Sequence, residues 1–126
     1  MSSPKNRLYG DAYMELYKDA PHRKNLPNAT FIHETKSPAC GDQVTFSGII
    51  TNGIISELSF QSTGSALSHI YAELLCQYAE KKPVEKILAI TESDIKQILN
   101  LSLGASRFAL ILFITNGLKE GIAPYA

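Results

Sequence analysis

Along residues 8–17 the apolar positions are 8, 9, 12, 13, 16 and 17. That i, i+4 stripe predicts an amphipathic helix. It should end before Pro21, because a residue ahead of proline is pushed out of the helical region. Residues 20–28, with two prolines, two asparagines and the run His22-Arg23-Lys24, read as a loop, and residues 30–35 as a short strand. The period then changes. Residues 44–50 and 54–60 are β-rich runs separated by Thr51-Asn52-Gly53. Asn-Gly supplies the two positive-φ positions of a type I′ turn, so the pair forms a hairpin. Strict alternation on the second strand puts Ile54, Ser56, Leu58 and Phe60 on one face, and Ile55, Glu57 and Ser59 on the other.

Ser62-Thr63-Gly64-Ser65 opens a helix to about Glu80, in which Ala66, Leu67, Ile70, Tyr71, Leu74, Leu75 and Tyr78 keep helical spacing. Pro83 stops it and can start the next, over residues 84–90. Thr91-Glu92-Ser93-Asp94 has capping-box spacing, with Asp in the role usually filled by Glu, for a helix to about Asn100. Residues 108–114 would suit a buried strand or a buried helix. Length and the lack of flanking turn chemistry favour a helix over residues 105–119, with Asn116-Gly117 fraying its end. Strands first and helices after define an α+β domain, a small antiparallel sheet of about three strands packed against several helices.

Apolar residues make up 44% of the 126, enough for one core, and the length suits a single domain over residues 1–126. With 12 Lys+Arg against 12 Asp+Glu the net charge is zero. Nucleic acid and anionic membrane, which call for clustered basic residues, are therefore not the expected partners. The longest apolar run, residues 108–114, falls far below the roughly 20 residues that span a bilayer. The first seven residues contain no apolar signal core, and two cysteines with no CxxC pair make no disulfide framework. The expectation is a cytoplasmic domain.

The candidate chemistry starts at Ser37-Pro38-Ala39-Cys40-Gly41-Asp42, just before the first hairpin strand. Gly41 lets the backbone turn, so that the Cys40 thiolate and the Asp42 carboxylate can converge on one cation. The order of features around it resembles the iron–sulfur cluster assembly scaffold family (IscU, SufU and the N-terminal domain of NifU). That family has an N-terminal helix, a loop with proline, arginine and asparagine, and then Asn-Pro-x-Cys-Gly-Asp. A hairpin follows, ending in Phe-x-Gly-x-Gly-Cys at the start of a long helix. Here Pro21-His22-Arg23-Lys24-Asn25, the Cys40 segment and Phe60-Gln61-Ser62-Thr63-Gly64-Ser65 fill those places. The resemblance covers roughly residues 8–122. It implies that fold, a part in cluster assembly without catalysis of its own, and no catalytic residues. It also implies a transient iron–sulfur cluster or a zinc or iron ion as the bound species, and a cysteine desulfurase as partner. Another scaffold protein or a second copy of the chain could join it.

The chain departs from the pattern where the ligands belong. The family uses three cysteines and the aspartate, and here only Cys40 and Asp42 remain. The second cysteine position is Ser65. The third, in an Arg-x-x-Cys pattern beginning at Arg107, is Leu110, or Ser106 if the register slips by one turn. A serine hydroxyl is a far poorer ligand than a thiolate, and leucine cannot ligate. A chaperone-recruiting Leu-Pro-Pro-Val-Lys segment and the SufU insertion are also missing. His69, one turn beyond Ser65, has two readings, a replacement ligand or a surface or satisfied core histidine. Cys76 lies too far along the helix to join Cys40 and reads as a small packing residue. His22 and His33 read as solvated, and Glu92 with Asp94 as helix capping. Two functions stay open. One is a scaffold-like protein that binds iron or accepts sulfur at Cys40 with Asp42. The other is a degenerate homologue that binds the desulfurase or a true scaffold and holds no cluster, its ligands having been lost.

Overall fold

The structure, a computed structural model, describes residues 10–38 and 41–126. In chain order these form α1 (Gly10–Lys18), β1 (Phe31–Lys36), β2 (Gln43–Thr51), β3 (Ile54–Thr63), α2 (Ala66–Ala79), α3 (Val84–Leu88), α4 (Glu92–Leu99) and α5 (Ala105–Ile122), with a closing 3-10 turn at Ala123–Tyr125. The strands make one antiparallel sheet in the order β1-β2-β3. The α+β expectation holds. The start of the first expected helix, residues 8 and 9, lies outside the described residues.

The Asn-Gly hairpin forms as its residues dictate, with Asn52 at φ 53° and Gly53 at φ 75°. The alternation expected along β3 does not survive. Ile49 pairs with Glu57 and Ile50 with Ile55, so Ser56 is an extra residue in a bulge, its hydroxyl donating to the Ile49 carbonyl at 3.0 Å. One inserted residue reverses the side-chain phase beyond it. Ile55 consequently joins Leu58 and Phe60 in the core, and Ile54 turns outward.

The sheet face carrying Phe46, Leu58 and Phe60 packs against α2 and α5. α2 is buried along most of its length. The capping box at Thr91 closes as expected: Thr91 N–H donates to the Asp94 carboxylate at 2.9 Å, and Asp94 N–H to Thr91 Oγ1 at 3.2 Å. α5 overturns a second expectation. It does not fray at Asn116-Gly117 but runs on to Ile122. A Cβ at Gly117 would stand 2.8 Å from Thr35 Cβ, and one at Gly121 2.8 Å from His33 Cβ. Two bare positions one turn apart let α5 lie directly on β1, and the contact holds the helix together where propensity alone would loosen it. Among the described residues no helix is long and apolar enough to cross a membrane.

Candidate functional site: the corner between the Asp42 turn, α2 and α5

A narrow turn leads into β2. Ser37 N–H donates to the Asp42 carbonyl at 2.7 Å, and Gly41 N–H to the Ser37 carbonyl at 2.9 Å, with Gly41 at φ 76°. Cys40 and Ala39 lie outside the described residues. Asp42, 7% exposed, turns its carboxylate onto the start of α2. It accepts from the Ser65 hydroxyl at 2.6 Å, the Ser65 backbone N–H at 3.2 Å and the hydroxyl of buried Ser68. Ser65 is the N-cap of α2, accepting from Ser68 N–H at 3.3 Å. Gly64, at φ 117°, gives the carboxylate its room, since a Cβ there would sit 2.6 Å from Asp42 Cγ. A negative charge against a helix N-terminus is favourable in its own right.

Asp42, Ser65, Arg107 and Leu110 line one open cavity of about 480 Å³, and Ser106 lines it too. The sequence-derived positions converge here, from the turn before β2, the N-cap of α2 and the first turns of α5. The cavity is largely apolar, walled in part by Leu67 and Phe113. His69 does not join this group. Its ring lies in an adjoining cavity, Nδ1 at 2.9 Å from Ser62 Oγ and Nε2 at 3.0 Å from Arg23 Nη1, with Tyr17 and Phe60 edge-on to it. A guanidinium only donates, so Nε2 accepts and Nδ1–H donates to Ser62. Burial, and then the Arg23 charge, hold the His69 pKa below the ordinary imidazole value. A metal ion at Nε2 would have to displace Arg23.

Cys76 is wholly buried in α2, and burial, followed by the charges of Glu73 and Glu80, pushes its thiol well above the usual range. His33 meets Glu120 at 3.2 Å near the surface. His22 corrects the sequence expectation, for it is not solvated. Its backbone N–H and Nδ1 both meet the carboxylate of fully buried Glu73, at 2.8 and 2.7 Å, and Nε2 meets Glu80 at 3.0 Å. Glu80 in turn accepts from Leu58 N–H at 3.0 Å. The signal for this network was a lone acid in an apolar stretch, Ala72-Glu73-Leu74-Leu75. Ser68, three residues past the N-cap, was likewise unflagged.

As a metal centre the corner offers one carboxylate and hydroxyls already spent on it. Among the described residues no three His, Cys, Asp or Glu side chains converge as a ligand group. A tetrahedral zinc or cluster site wants four strong donors. Ser65 and Leu110 supply none, so the described residues do not fit a resident metal ion.

The architecture defines a class. The fold is shared with an iron–sulfur cluster assembly scaffold protein of the SUF system from Fervidobacterium islandicum (TM-score 0.74, 18% identity, 96% of this chain and 99% of that one). It is shared too with the N-terminal part of a nitrogen-fixing NifU-like protein from Brucella abortus (TM-score 0.71, 11% identity, 96% of each chain). Residues 8–126 match the NifU-like N terminal domain, and the chain belongs to that family. Curated relatives include the iron–sulfur cluster assembly scaffold protein IscU of Thermotoga maritima, 27% identical over 85 residues, or 68% of this chain and 60% of the relative. Another is the zinc-dependent sulfurtransferase SufU of Bacillus subtilis, 26% identical over 92 residues, or 71% of this chain and 62% of the relative. The chain thus spans about three fifths of the length of these two.

Proposed function

We propose that this chain serves iron–sulfur cluster assembly by binding the assembly machinery, a cysteine desulfurase or a metal-holding scaffold, without closing a metal site on one chain. The supporting observation is the chemistry of the corner: Asp42 is engaged by Ser65 and Ser68, and the remaining ligand position is Leu110. Family membership and the scaffold named among its relatives favour the pathway. The replaced ligands favour a binding role within it.

A second reading rests on Cys40, two residues before an acid that faces the same open cavity. Cys40 would accept sulfur as a thiolate, attacking the terminal sulfur of a desulfurase persulfide. A new S–S bond forms at Cys40, and the desulfurase cysteine departs as its thiolate.

The test is the iron, zinc and acid-labile sulfide content of anaerobically purified protein beside Cys40→Ala, together with titration of each against a purified desulfurase. The binding role expects metal and sulfide far below one per chain in both proteins, and desulfurase binding that survives Cys40→Ala. Near-stoichiometric metal that vanishes in the variant would overturn it. Persulfide appearing on Cys40 after turnover with cysteine would establish the second reading.

A further inference from the structure

Ser65 stands between two cavities. Beyond the Asp42 corner is a smaller one of about 320 Å³, walled by Tyr17, Arg23, Ser62, Gly64, Ser65 and His69. Arg23, on the exposed loop between α1 and β1, donates there to His69 Nε2. A guanidinium is permanently charged and its planar fork matches a carboxylate, so a neutral imidazole is an incomplete partner. Among the described residues no carboxylate pairs with Arg23. The acids nearby are committed elsewhere, Glu73 to His22 and Gln77, and Asp42 to Ser65 and Ser68. Ser62 Oγ accepts from His69, which leaves its own proton to donate. The cavity therefore holds an uncompensated cation, a hydroxyl donor and an imidazole that bears no charge against either.

We infer that the Arg23–Ser62–His69 cavity binds a single carboxylate, with the Arg23 fork on its two oxygens and Ser62 donating beside it. Arg23, Ser62 and His69 take no part in the Asp42 hydrogen bonds described above, so the site stands or falls independently of any metal. Two sources supply the same chemistry, a free small carboxylate and an acidic side chain on a docked protein.

The test follows the imidazole resonances by NMR as sodium acetate replaces sodium chloride at constant ionic strength. The expected result is a saturable displacement of the His69 signals while His22 and His33 stay put. Arg23→Gln abolishes it, and Arg23→Lys, which keeps the charge and loses the fork, weakens it about tenfold. Both variants should unfold at the wild-type temperature, because Arg23 is exposed. Acetyl-Gly-Glu-Gly-amide binding as well as acetate assigns the site to side chains of a partner. Free glutamate binding more tightly than both assigns it to small molecules. A linear drift without saturation, or a displacement unchanged in Arg23→Gln, would overturn the inference.

Discussion

The Asp42 carboxylate gathers two hydroxyls and a backbone N–H at the start of α2. Its removal leaves buried Ser68 only the contact to Ser65 Oγ at 3.2 Å, and the helix start without its counter-charge. Asp42→Ala should therefore cost about 1–3 kcal/mol in urea unfolding. No change in midpoint would show that these hydrogen bonds carry no stability. The converse experiment restores thiolates. Ser65→Cys with Leu110→Cys puts two donors back on the shared cavity beside Asp42, and the double variant should purify with zinc, lost again on adding Cys40→Ala. Metal content as low as in the unaltered chain would mean that the corner no longer has ligand geometry. The motifs behind the family resemblance singled out Asp42, Ser65, Arg107 and Leu110, and the fold brings these four to one cavity. The sequence left Ser68 unflagged and His22 misread. A serine inside a helix looks neutral, and nothing near His22 announces two glutamates fifty and more residues on.

At Gly117 the helix α5 meets β1 too closely for a side chain. In a solvent-facing helix interior, Gly→Ala is worth up to about 1 kcal/mol of stabilisation. Here the new methyl would meet Thr35, so Gly117→Ala should destabilise by about 1–3 kcal/mol as α5 is pried from β1. Thermal unfolding gives the sign directly, and a stabilised variant would refute the close approach. Helices with an apolar stripe or a capping signal, such as α2 and α4, were legible as elements. The bulge at Ser56 was not, because a phase reversal in β3 depends on its register with β2. The fate of Asn116-Gly117 turned in the same way on a neighbour remote in sequence.

Across the whole molecule, His22 ties the loop between α1 and β1 to α2 and, through Glu80, to β3. Burial opposes a charge on His22, but its hydrogen bonds to Glu73 and Glu80, with their charges, outweigh that and raise the pKa above the ordinary 6.5. Burial likewise opposes the Glu80 charge, and the bonds from His22 and Leu58 outweigh it, lowering that pKa. The signs are opposite. The His22 contribution is full below 6.5 and lost as pH rises through the raised value, while that of Glu80 is full above 4.5 and lost on acidification. Urea unfolding between these limits and mildly alkaline pH should show stability falling on the alkaline side, a slope that His22→Gln removes. A slope unchanged in that variant would place the titration elsewhere. The fold class was readable because composition, hairpin and helix periods agreed. This tether was not, since it exists only once the loop closes over α2.

The burial of Cys76 has a practical corollary. With that thiol sealed in α2 and its ionisation suppressed, Cys76 should resist alkylation for as long as the helix stays packed. Peptide mass spectrometry after alkylation at neutral pH should find Cys76 unmodified in the folded chain and modified once it is denatured, and an adduct on Cys76 before denaturation would mean that α2 opens.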